Sequence, residues 1–120
     1  MSIMADITRI SPGPRMSQAV IHAGVLYTAG QVDAQANDVA GQTRNILAKI
    51  DTLLAQAGTT KAHLLSASIW LTDIATFNEM NAVWEAWIDP GNPPARATVQ
   101  STLAAPEYRV EISVIAALAE

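Results

Sequence analysis

Apolar residues along this chain recur at two different intervals, and the order in which those intervals alternate restricts the fold more than any other feature. Over residues 37–57, Val39, Thr43, Ile46, Leu47, Ile50, Leu53, Leu54 and Ala57 fall three and four positions apart, as on one face of a helix. Gln42, Lys49, Asp51 and Gln56 take the other side, Asn37 or Asp38 can cap the start, and Gly58 can close the end. A second helical stripe begins near Thr76 with Phe77, Met80, Trp84, Trp87 and Ile88. Thr76 and Glu79 match a capping box, and the run DPGNPP over 89–94 stops the helix. The remaining runs read as strands: 7–10, 19–22, 25–30, 64–71, 95–101 and 109–117. Ala23-Gly24 supplies a tight hairpin turn between the second and third. In 64–71 strict alternation predicts Leu65, Ala67, Ile69 and Leu71 on one face, with Ser66, Ser68 and Trp70 on the other.

The order β-ββ-α-β-α-ββ predicts an α+β fold with both helices packed on one face of a sheet. The last strand is apolar on both sides: Val110, Ile112 and Val114 face one way, Ile115 and Ala117 the other. Two helices cover only one face, so the second face needs a partner, which association supplies.

Composition narrows the chemistry. The 120 residues match one domain over 1–120, 50% of them apolar and only 5% aromatic, so the core is built of small and aliphatic side chains. Without cysteine there is no disulfide, no thiolate nucleophile and no zinc–sulfur site. A net charge of −4 and the lack of any Lys/Arg cluster speak against nucleic acid as a partner. No apolar run is long enough for a membrane span, and residues 1–10 lack the layout of a signal peptide, so a cytoplasmic location is expected.

Few residues are left to carry a reaction. His22 and His63 have no metal-ligand spacing, no metal site is expected, and no phosphate-binding glycine loop is present. Arg96 stands out, because Arg96, Thr98 and Gln100 put three polar side chains on one face of a strand, and a guanidinium grips a carboxylate through two bonds. Glu111 lies in the apolar run VEISVIAA, where a carboxylate is costly to bury unless paired or used. Asn81 follows Phe77 by four residues and precedes Trp84 by three, on the apolar stripe of its helix, so its amide needs partners. The same residues also fit a structural reading in which Arg96 and Glu111 pair across neighbouring strands and Asn81 caps a loop.

PPARATVQ over 93–100, followed by Val110-Glu111-Ile112, resembles the C-terminal signature of the RidA/YjgF family. GPRMSQAV over 13–20 is similar to that family's GPYSQAV, and Ala29-Gly30-Gln31 to its SGQ. Gln42-Thr43-Arg44 opens the first helix as in family members, and Leu71-Thr72-Asp73, Phe77 and Asn81 resemble the stretch leading into the second. The resemblance spans essentially the whole chain. It implies a chorismate-mutase-like fold and a homotrimer with sites in clefts between subunits. It further implies a cofactor-free deaminase that hydrolyses imines and enamines of the 2-aminoacrylate and 2-iminobutanoate type to 2-keto acids and ammonia. By that resemblance Arg96 holds the substrate carboxylate, Glu111 positions and activates water, and Gly30 and Asn81 line the pocket. Met16 stands where imine-hydrolysing members carry Tyr, and Thr98 where they often carry Cys, both at substrate-binding positions. These departures keep open a second function, in which a divergent member binds or hydrolyses another small carboxylate-bearing metabolite. A ribonuclease or translation-inhibitor role, also ascribed to the family, runs against the negative charge.

Overall fold

A computed structural model describes residues 6–119. The elements follow in the expected order: β1 (Ile7–Pro12), β2 (Ser17–His22), β3 (Val25–Thr28), α1 (Val39–Gln56), β4 (Leu64–Leu71), α2 (Phe77–Trp87), β5 (Ala95–Gln100) and β6 (Val110–Ala117). Residues 1–5 of the segment read for a signal peptide lie outside the described residues. Among the described residues, no helix is long and apolar enough to cross a membrane.

The strands form one six-stranded sheet in the order β1-β2-β3-β6-β4-β5. Only β4 and β5 run parallel, because α2 crosses over between them, whereas hairpins and longer returns make the other pairs antiparallel. Ala23 (φ 52°) and Gly24 (φ 79°) turn the β2–β3 hairpin with two left-handed residues, the geometry that matches strand twist. β1 is an edge strand, which is why it can run on through Pro12, two residues past the expected 7–10.

Both helices cover one face. On β6 burial alternates strictly, with Val110, Ile112, Val114 and Ala116 buried. These residues meet Ala67, Ile69 and Leu71 of β4, Leu26 of β3, and Ile46, Leu47, Ile50 and Leu54 of α1 in one core. At roughly 25 cal/mol per Å² of apolar surface removed from water, this dry face supplies most of the drive to fold. The opposite face carries Tyr27, Ser68, Trp70, Ser113, Ile115 and Val99, and no element among the described residues covers it. Tyr27 is 44% exposed and Val99 49%.

Three local expectations are corrected. Leu65 is not on the core face: a bulge between Leu64 and Ser66 flips the start of β4, burying Leu64 and leaving Leu65 49% exposed. Gln42 is not on the outer side of its helix but fully buried. Its amide donates to the carbonyls of Ala36 (3.0 Å) and Glu107 (2.9 Å) and accepts from Arg109 N–H (2.9 Å), pinning the loop that leads into β6. The Thr76–Glu79 capping box is not formed. The Thr76 hydroxyl donates to Asp73 O, and Glu79 instead accepts from the Ala40 N–H at the start of α1 (3.0 Å), joining the two helices. Asp38, one of the two expected caps, does cap α1, accepting from Gly41 N–H at 2.9 Å.

Candidate active site

The candidate residues fall into two clusters on opposite faces of the sheet. Arg96, Thr98 and Gln100 pair in register with Ala67, Ile69 and Leu71, which places them on the helix-covered face at the β5 edge. Arg96 is half-buried beneath α2. Its Nη1 donates to Asn81 Oδ1 at 2.7 Å, so the stripe asparagine finds its partner in the strand arginine. The Phe77 and Trp84 ring centroids lie 5.7 and 5.5 Å from the guanidinium carbon, within cation–π reach. Burial pushes the Arg96 pKa below its ordinary value, while the nearby charge of Glu85 opposes that shift. The group stays a cation at neutral pH.

Thr98, the next residue on that face, has a buried hydroxyl with no hydrogen-bond partner among the described residues. An unpaired buried hydroxyl costs about 1–3 kcal/mol, which a ligand atom could offset. Gln100 is used structurally: its side chain accepts from Ile74 N–H at 2.9 Å.

Glu111 lies on the bare face. It pairs in register with Trp70, not with a core residue, and is half-buried. Its carboxylate lies against Gly30: a Cβ at position 30 would come within 2.7 Å of Glu111 Cδ, so any side chain there would displace the Glu111 carboxylate. The backbone next to Gly30 is fixed by the Gln31 bridge to Ile112, with N–H to O distances of 2.8 and 3.1 Å, and by Gln31 Nε2 donating to Gln18 at 3.2 Å. Just beyond it, Asp33 ties the loop to α1. Burial alone would raise the Asp33 carboxyl, but the Ala36 N–H, the Asn45 amide and Lys49 outweigh it and hold the group below its usual range. Met16 sits in the β1–β2 turn, where its carbonyl accepts from Gly13 N–H; it is 47% exposed, and Arg15 beside it is exposed as well.

The structural alternative of a paired Arg96 and Glu111 is not what the fold makes. β4 lies between β5 and β6, and the two side chains leave opposite faces. Their rows are three residues apart along β6 (Val114 against Glu111), on the order of 10 Å, and two strand spacings apart across the sheet, again on the order of 10 Å. Nor does either of two cavities among the described residues join them. A groove of about 590 Å³ runs between α1 and α2, lined by Leu47, Lys61, Ala82, Val83 and Trp87 among others, and a hollow of about 330 Å³ lies beside Thr72, Leu103 and Tyr108. None of the candidate residues lines either one. Phe77 and Trp84 were read from sequence only as core residues. The signal for their second role was Asn81 standing between them on the same stripe.

The fold agrees with what the chain is similar to. The family model described as Endoribonuclease L-PSP matches residues 7–118. The RutC family protein YoaB of Escherichia coli is 42% identical over 112 residues, covering 93% of this chain and 98% of that protein. A RutC family protein of Haemophilus ducreyi is 40% identical, covering 93% and 97%. The crystal structure of NMB1025 from Neisseria meningitidis, a member of the YjgF protein family, superposes with a TM-score of 0.94 at 43% identity, covering 96% of this chain and 97% of that one. With that model spanning β1 to β6 and with such relatives, the chain belongs to the RidA/YjgF family.

Proposed function

We propose that the protein hydrolyses small 2-imino acids and their enamine tautomers to 2-keto acids and ammonia, at sites completed between copies of the chain in a trimer. The observation that carries this reading is Arg96: a half-buried cation with one nitrogen tied to Asn81 and, among the described residues, no acceptor on Nε or Nη2 and no carboxylate within ion-pair distance. That free edge matches the two oxygens of a carboxylate. An imine carbon beside a carboxylate is already electrophilic, so holding the carboxylate aims the carbon. Glu111 takes a proton from water as the water oxygen bonds to that carbon. The C=N pair moves to nitrogen, which takes that proton. Glu111 then removes the remaining hydroxyl proton as C=O forms and passes it to nitrogen as the C–N bond breaks, leaving the keto acid and ammonia. Because Arg96 and the Gly30–Glu111 pair leave opposite faces, Arg96 of one copy serves the Gly30–Glu111 end of its neighbour. The uncovered apolar face supports such an association.

The test is ammonia release from freshly generated 2-iminobutanoate. Arg96→Ala is expected to lower turnover by about 100-fold, the loss of a charge-assisted pair of hydrogen bonds, with the circular dichroism spectrum unchanged. Near-normal turnover in Arg96→Ala would remove the carboxylate anchor from the account. The exposed thioether of Met16, at a substrate-binding position where a hydroxyl donor is usual, favours a second reading in which the protein binds a different small carboxylate. Calorimetric binding of 2-oxobutanoate without any ammonia release would support that second reading. The net charge of −4 weighs against RNA as substrate.

A further inference from the structure

We infer that Phe77 and Trp84 are positioning residues: their rings flank the Arg96 guanidinium and, with Asn81, preset the orientation in which its free edge meets a carboxylate. The inference rests on the proposed role of Arg96 as carboxylate anchor. An arginine side chain carries about 2 kcal/mol of rotamer entropy, and an arginine at a strand edge would spend much of it on each binding event. Here that freedom is already removed. Asn81 fixes Nη1 at 2.7 Å, and the rings of Phe77 and Trp84 lie 5.7 and 5.5 Å from the guanidinium carbon. All three contacts come from one stripe of α2, at positions i, i+4 and i+7, so a single rigid element delivers them together.

The clamp is anchored in turn. Trp84 is 6% exposed and packs against Trp87, with ring centroids 5.4 Å apart and planes tilted by 50°. The Trp87 indole donates to Asp51 of α1 at 3.0 Å. Met80, between the clamp residues on the same stripe, is fully buried. Among the described residues the guanidinium makes no ion pair; Glu85 acts on it only from a distance through its charge, and the two ring faces are its near neighbours. Unlike a carboxylate, a ring face steadies the cation and leaves its charge available to an incoming anion.

Steady-state kinetics on 2-iminobutanoate and calorimetry with 2-oxobutanoate test this. Trp84→Leu and Phe77→Leu fill much of the same space without a π face. Each should raise KM and the 2-oxobutanoate Kd by about 5- to 10-fold and leave kcat within about 2-fold, since the step at Glu111 is untouched. Trp84→Phe and Phe77→Tyr should restore most of the lost affinity. In an Arg96→Lys background, Phe77→Leu should add little further change in Kd, because the flat cation it steadies is gone. Phe77 is only half-buried, so its variants carry the test if Trp84→Leu fails to fold. If Arg96→Ala abolishes 2-oxobutanoate binding while Phe77→Leu keeps the wild-type Kd, the clamp is wrong and the anchor stands. A loss of thermal stability in Phe77→Leu with unchanged Kd would likewise reduce the ring to core packing. If Arg96→Ala itself binds normally, anchor and clamp both fail.

Discussion

The helix-covered face of the sheet and its bare face differ in where their residues find partners. On the covered face the chain completes itself: α1 and α2 bury alternate residues of β4 and β6, Gln42 is satisfied at three backbone groups, and Arg96 is held by Asn81 and two rings. On the bare face Tyr27 and Val99 are about half exposed, and Glu111 has Gly30 against it but no hydrogen-bond partner among the described residues. One face is a finished core with a cation at its edge. The other is an apolar surface with a carboxylate at one end. The candidate chemistry is divided between them, and that division is why the working unit is proposed to be more than one chain.

The comparison can be broken first on the bare side. Ile115→Asp puts a charge in the middle of that face without touching the core. It should weaken association by about 100-fold or more and abolish ammonia release with the monomer still folded, as read by light scattering, circular dichroism and the ammonia assay. A variant that keeps its assembled mass would mean that the bare face is not the interface. On the covered side the expected effect is smaller and concerns stability. Gln42→Ala strands two carbonyls and an N–H and should cost about 1–3 kcal/mol in urea unfolding. A loss below about 0.5 kcal/mol would mean that water replaces the amide.

Much of this division was legible in the sequence. The changes of period located all eight principal elements, and the two-sided apolar pattern of β6 announced a second surface in need of cover. What periodicity missed depended on contacts distant in sequence. The bulge that exposes Leu65 arises from how β4 meets β6, which alternation within one strand does not encode. Gln42 reads as polar and therefore outward, yet the loop it pins lies more than sixty residues further on. Glu79 sits three residues after Thr76 as a capping box requires, but the Ala40 N–H of another helix competes for it and wins. For the candidate site, the strand face shared by Arg96 and Thr98 and the stripe position of Asn81 were readable. The interposition of β4 was not, because strand order is set by crossovers that local pattern leaves open.

The most direct test of a divided site is complementation between Arg96→Ala and Glu111→Gln. Each variant alone should be nearly inactive on 2-iminobutanoate. Co-refolded in equal amounts with subunit exchange verified by mass, they should regain about a quarter of wild-type turnover. Random mixing in a closed three-membered ring leaves one intact Arg96–Glu111 pairing in every mixed assembly, and about three quarters of assemblies are mixed. No recovery despite proven exchange would contradict the account, because it would place both residues of each working site on the same chain.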